Sequence, residues 1–192
     1  MLVADLHHFI DLPPDIPGPA LKLGEHLISI VQAATAGDAH TAWESALPCR
    51  RRPGNRRCPG RIIVISTRPD TPIRWHCNRC GDDGTISNWA GTPYDLRRRK
   101  LTLAEPLHEV VIDANVAATL RALTFLDIDC QRAVFAIRAR DDRLHLAVTD
   151  GDLDELIGAV AAEANHEPNR RHQRRLDAAF DALNTAANAH GW

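Results

Sequence analysis

Four cysteines constrain this chain more than any other feature. Cys49 and Cys58 enclose eight residues, and eighteen residues further on comes the tight pair Cys77-Asn78-Arg79-Cys80 followed by Gly81. Four thiolates in two groups are the donor set of a tetrahedral metal site. The Cys-x2-Cys half is the informative one, because two intervening residues turn the chain back so that both sulfurs face one ion. Gly81 accepts a turn conformation that most residues resist. The other half is looser: Pro59-Gly60 turns the chain after Cys58, but Cys49 lies across the loop Arg50–Arg57. His40 and His76 are possible substitute ligands, although four cysteines already complete a shell, and the expectation is a structural zinc ion on Cys49, Cys58, Cys77 and Cys80.

Disulfides are the rival pairing, and they belong to secreted chains. The N-terminus does not read as a signal peptide and no apolar run is long enough to span a bilayer, so the expected setting is cytoplasmic and reducing. A thioredoxin-like redox centre would place Cys-x-x-Cys at a helix start, whereas Cys80 is followed by Gly81-Asp82-Asp83-Gly84 and a strand-like Thr85–Asn88. The fifth cysteine, Cys130, sits among apolar residues and reads as a buried thiol.

The net charge of −2 hides an uneven distribution. Residues 49–100 carry thirteen Arg and Lys against four Asp and Glu, while residues 1–48 and 101–192 are both acidic. The expected organisation is a helical segment over 1–48, a zinc-ribbon-like module over 49–100 and an α+β domain with a C-terminal helix over 101–192. Helices are expected around Val3–Ile10, over Ala20–Ala34 ending at Gly37, and after Asp38 as a cap with Trp43 and Leu47 inward. Short strands follow at 61–65, 73–76 and 85–89. The C-terminal part reads β-α-β-β-α: strand 107–112, a helix capped by Asp113, a hairpin of Ala133–Arg138 and Leu144–Val148 turning at Asp141-Asp142, and a helix capped by Asp152. A last helix, 169–189, starts with Arg170, Arg171, Arg174 and Arg175, which read as a solvated face.

Phe9–Pro19, Ala33–Trp43, Trp75–Trp89 and Glu163–Glu167 resemble stretches of an uncharacterised bacterial protein family containing a zinc-ribbon-like four-cysteine motif. The resemblance implies that Cys49, Cys58, Cys77 and Cys80 bind zinc, and that the metal-held hairpins contact nucleic acid or protein, as zinc ribbons often do.

The basic centre points the same way. Arg50, Arg51, Arg52, Arg56 and Arg57 lie on the loop that the metal would hold, and Arg79 lies inside the second cysteine pair; guanidinium groups bind phosphate and carboxylate through a planar fork. Trp75 and Trp89 flank the pair, as a miniature core or, if exposed, as stacking platforms for bases. The arginines also have a structural reading, since four thiolates on a divalent ion leave a charge of −2 to offset. The expected function is a zinc-binding protein with a macromolecular partner, protein or nucleic acid, and a nucleic-acid-binding regulator is the alternative. With Trp192 and the last helix as further contact surfaces if the partner is a protein, neither a membrane nor a small-molecule substrate is indicated. An enzyme is the third class, and its candidate sites are thin. Glu163-x-x-His166 lacks the second motif of a di-iron site, Asp150–Glu155 lacks the spacing of a calcium loop, His7-His8 and His172 read as surface histidines, and no serine (Ser29, Ser45, Ser66, Ser87) lies in a nucleophile elbow.

Overall fold

In a computed structural model, residues 1–13, 15–37, 41–65, 68–97 and 106–189 are described. His40, Asp38, Ser66, Trp192 and the basic run Arg98–Lys100 fall outside them. The chain divides into two compact units, Met1–Arg97 and Arg98–Trp192, and its class is mixed α+β, with five α-helices among the described residues.

The first unit is one helix on one face of a five-stranded sheet. Its elements are β1 (Leu2–Asp5), α1 (Gly18–Ala36), β2 (Ala42–Pro48), β3 (Arg61–Ile65), β4 (Ile73–Cys77) and β5 (Asp83–Ser87). The strand order is β1-β5-β4-β3-β2, with β1 parallel to β5 and the other pairs antiparallel. Helix α1 starts with Pro19 in its first turn, where a missing N–H costs nothing, and buries Leu27, Ile30, Val31, Ala33 and Ala34. These side chains share a core with Ile62, Val64, Ile73, Trp75 and Ile86 from the strands. The helical segment and the ribbon-like module, read as separate parts of the sequence, therefore share one core. Strand β4 alternates strictly, with Ile73, Trp75 and Cys77 inward and Arg74 and His76 outward, so the core side of the sheet leads directly to a cysteine.

Two expectations for this unit are corrected. Residues 2–5 form an edge strand followed by a 3-10 turn, Leu6–Phe9, rather than one helix. Only Ala4 and Leu6 are buried there, a period of two, and Val3 is 69% exposed. Residues 42–48 are strand β2 rather than a helix. The helix-like spacing of Trp43 and Leu47 comes from an irregularity between Glu44 and Pro48 that puts Ser45, Ala46 and Leu47 all inside. The Ser45 hydroxyl repairs the ladder there, donating to the Ile62 carbonyl at 2.6 Å and accepting from the Leu47 N–H at 3.3 Å. Helix α1 is capped by Gly37, where a Cβ would stand 2.5 Å from the Trp43 indole nitrogen.

The second unit contains β6 (His108–Ile112), α2 (Ala114–Ala122), α3 (Ile128–Phe135), β7 (Arg138–Arg140), β8 (Arg143–Val148), α4 (Asp150–His166) and α5 (Arg170–Ala189). Strand β8 pairs antiparallel with both β6 and β7. Asp113 caps α2 by accepting from the Asn115 and Val116 N–H groups, and Asp141-Asp142 form the tight turn between β7 and β8 with φ of 50° and 60°. Residues 128–135 correct the expected strand. Asp127 accepts the Cys130 N–H and caps a helix, and Cys130, Ala133 and Val134 make its buried stripe. The cap of α4 is Thr149, not Asp152; Asp152 is the reciprocal partner of a capping box. The unit is therefore β-α-α-β-β-α-α. Helices α4 and α5 pack on one another and α5 on α2, burying Leu156, Val160, Leu176, Ala179 and Leu183. Asn169 caps α5, and Arg170, Arg171, Arg174 and Arg175 are exposed, as their solvated reading expects.

Candidate metal centre

Two knuckles meet at one end of the first sheet. Cys77 closes β4 and Cys80 follows it; Cys49 follows β2 and Cys58 precedes β3. Antiparallel pairing of β3 with β4 places Ile62 opposite Cys77, which brings the knuckles together. Asn78 locks them: its N–H donates to the Arg61 carbonyl at 3.1 Å and its Oδ1 accepts the Arg61 N–H at 3.0 Å.

The long Cys49–Cys58 spacing is absorbed by the backbone. The Cys49 N–H donates to the Gly60 carbonyl at 2.9 Å and the Cys58 N–H to the Arg51 carbonyl at 3.0 Å, so Cys49 and Cys58 sit on facing arms. The six residues between Arg51 and Cys58 bulge outward through a 3-10 turn, Pro53–Asn55, with Gly54 and Asn55 at φ of 59° and 63°.

The four Sγ atoms lie within 4.8 Å of one another. Cys49 and Cys80 are 3.6 Å apart, Cys58 and Cys77 3.8 Å. A tetrahedron of thiolates around an ion with metal–sulfur bonds of about 2.3 Å has sulfur–sulfur edges of about 3.8 Å. A disulfide would need about 2.05 Å, and all five cysteines are free. Each thiol also receives a backbone N–H from the residue two places on. Arg51, Gly60 and Arg79 donate to Cys49, Cys58 and Cys77 at 3.4 Å each, and Asp82 donates to Cys80. Cys49, Cys58, Cys77 and Cys80 are thus positioned to bind a metal ion, which is the residue set expected from the sequence. His76 points outward from β4.

Charge on this cluster needs a cation. Burial pushes the Cys49 thiol well above its ordinary value. At Cys58 the Gly60 N–H favours the thiolate, but burial and the Cys80 and Cys77 sulfurs outweigh it and the thiol goes up. Cys80, the exposed member, is lowered by the Asp82 N–H. A divalent ion would hold all four as thiolates, since a coordinating thiol is deprotonated outright. Gly60 is required by space: a Cβ there would stand 2.5 Å from the Cys77 Sγ and 2.8 Å from the Arg79 Cβ. Gly81, at φ of 69°, turns the chain after Cys80.

The arginines surround this centre. Arg50, Arg51, Arg52, Arg56, Arg57 and Arg79 are all exposed. Arg50 and Arg51 both direct their Nε toward Asp82, at 3.2 and 3.9 Å. Asp82 is a partner of the arginines that the sequence reading missed; its signal is the acidic pair Asp82-Asp83 directly after Cys80-Gly81 in an otherwise basic stretch. Trp75 and Trp89 are 2% and 1% exposed, which makes them core rather than stacking platforms. Trp89 donates to the Thr71 carbonyl at 2.9 Å and lies under the Arg97 guanidinium, while Trp75 meets His26 edge-on.

The other candidate sites dissolve into ordinary structure. Glu163 accepts the Thr124 N–H, Asp152 belongs to the α4 cap, and His172 pairs with Glu167. Cys130 is fully buried, its thiol raised by burial first and then by Asp127, and it donates to the Asp152 carbonyl. Asp127, Cys130 and Glu155 form a second close group of donor atoms, one member of which is the α3 cap. No described helix is long and apolar enough to cross a membrane. Compared with known protein families, with curated proteins and with solved structures, the chain has no match.

Proposed function

We propose that Cys49, Cys58, Cys77 and Cys80 hold a structural Zn²⁺, and that the arginine-bearing loop fixed by this centre is the surface through which the protein contacts another macromolecule. The observation that carries the reading is the sulfur cluster itself: four Sγ atoms within 4.8 Å of one another, two of the separations at 3.6 and 3.8 Å, near a tetrahedral edge, with every sulfur supplied with a backbone N–H. All-thiolate tetrahedral sites select zinc or iron–sulfur chemistry, and a closed four-cysteine shell without an open position is the structural form of the former. A reducing, cytoplasmic setting keeps four such thiols available, and the likeness to zinc-ribbon proteins belongs to the same proposal.

The centre carries no catalytic role in this reading. Its ion would close the end of the sheet, and the outward bulge of residues 52–57 would become a rigid platform. Native mass spectrometry of untagged protein with a thiol count is the test. One zinc per chain, with four thiols unreactive until a chelator removes it, is the expected result; a metal-free chain with four reactive thiols overturns it.

A further inference from the structure

Beside the exposed Cys80 lies an open cleft of about 570 Å³. One wall is the Arg50–Pro53 arm of the first knuckle and the other is the first two turns of α1, with Pro19, Lys22 and Leu23. Four lining side chains are cationic, Lys22, Arg50, Arg51 and Arg52, and none is acidic. We propose that this cleft binds the phosphate backbone of a double-stranded nucleic acid, an inference that rests on the zinc reading above and names its partner.

Charge compensation of the metal centre does not account for these cations. Four thiolates on a divalent ion leave −2, and Asp82 adds one more negative charge. Against these three stand seven cations on the knuckles and the cleft: Lys22, Arg50, Arg51, Arg52, Arg56, Arg57 and Arg79. Lys22, Arg52, Arg56, Arg57 and Arg79 have no ion-pair partner among the described residues. Asp82, whose side chain is 11% exposed, accepts a hydrogen bond from the Arg50 Nε at 3.2 Å and lies 3.9 Å from the Arg51 Nε, one carboxylate shared between two guanidinium groups. Both arginines are exposed, and a guanidinium group has the planar fork that takes phosphate oxygens in pairs. The first turn of α1 contains no acidic residue, so the positive end of its dipole adds to the field of the cleft.

The rest of the surface selects the partner. An acidic protein would need apolar anchors around which its charges could be desolvated. The exposed large hydrophobic side chains among the described residues of this unit are Met1, Val3 and Leu21 alone, and the tryptophans are inside. A single strand would be held by stacking on exposed aromatic rings, and Trp75 and Trp89 are buried. What remains suits a polar, strongly basic contact that reads backbone and shape.

The test uses the zinc-loaded full chain, with a short labelled duplex of mixed sequence, the matching single strand and polyglutamate as probes across a salt series. Duplex binding should weaken linearly on a logarithmic salt scale, with a slope of about −0.9 for each phosphate contacted. Arg52→Ala should reduce that slope by about one for all sequences alike, and the double variant Lys22→Glu, Arg52→Glu should lose binding more than about tenfold, with zinc content and tryptophan fluorescence unchanged. Duplex binding that ignores both variants overturns the inference, as does polyglutamate binding of equal strength or a preference for the single strand. Absent zinc overturns the metal reading and this inference with it, whereas zinc present without duplex binding overturns the inference alone.

Discussion

Residues 1–97 and 98–192 are nearly equal in length, yet they close their cores by different means. The second unit relies on apolar burial: four helices and three strands enclose Leu120, Ile137, Leu144, Leu146, Leu153, Leu156, Leu176 and Leu183, each at most 2% exposed. The first has a single α-helix over five strands, and at one end of its sheet the core contains sulfur in place of hydrocarbon, with Cys49, Cys58 and Cys77 joining the cluster of Trp75 and Ile62. A sheet with so little cover cannot be finished by hydrophobic contact at that end. A metal ion held by these cysteines would supply there what three further helices supply in the other unit.

The comparison breaks most sharply on metal loss. Cys77→Ser, or chelation, should unfold the metal end of the first unit, because apparent zinc binding in small structural sites is on the order of 10 kcal/mol of folding free energy. Every described tryptophan, Trp43, Trp75 and Trp89, belongs to that unit, so fluorescence should report its loss. Helical circular dichroism should largely persist, since α2 to α5 contain none of the four ligands. Coincident loss of both signals would mean that the second unit is not self-sufficient.

The converse substitution is Leu146→Ala, which empties a fully buried position on β8. A cost of about 2–5 kcal/mol is expected, read as a fall in the helical melting transition with zinc content unchanged. Zinc lost in this variant would show that the two cores are not independent.

How much of this was legible in the sequence follows from how local each cause is. The ligands could be read because Cys-x2-Cys chemistry depends on a few neighbouring residues, and β3, β4 and β5 because their alternation is clean. Strand β2 was not, since the irregularity at Ser45 breaks the period of two and leaves Trp43 and Leu47 at helical spacing. Helix α3 was missed because its strand-like apolar residues outweighed the Asp127 cap. Lys22 and Asp82 could not be joined to the arginines at all, because one arrives on α1 and the other across the second knuckle. The sequence also divided 1–48 from 49–100 by charge, a surface property, while the shared core is set by buried residues that charge does not report.

A finer probe of the centre is Gly60→Ala. The added methyl would stand 2.5 Å from the Cys77 Sγ, closer than the 3.0 Å below which real Cβ contacts essentially never fall, so the two knuckles must move apart. Zinc affinity measured by chelator competition should fall by about 10–100-fold, while Gly158→Ala, on α4 with open space around its Cβ position, should leave it unchanged. Equal affinities in the two variants would mean that the knuckles move freely.

The smallest expected effect is acid sensitivity from His26, and it separates the units by pH. Burial, and then the Arg50 charge, lower the His26 pKa to about 4, with Asp82 opposing them only in part. Its Nε2 is buried without a hydrogen-bond partner among the described residues, and its ring meets that of Trp75 at 88° with centroids 6.0 Å apart. The folded chain keeps this ring neutral down to about pH 4, whereas the unfolded chain protonates it below about 6.5. Between those values the unfolded state holds the extra proton, so stability falls as the pH is lowered through the window and is unaffected above it. His26→Phe keeps a ring against Trp75 and removes the titration. Relative to wild type the variant should therefore gain about 1 kcal/mol in the tryptophan-reported transition near pH 5.5 compared with pH 8. Protonation of the cysteine ligands acts on both proteins and drops out of that difference, and a difference that does not change with pH would show that the His26 ring takes up its proton as readily in the folded chain as in the unfolded one.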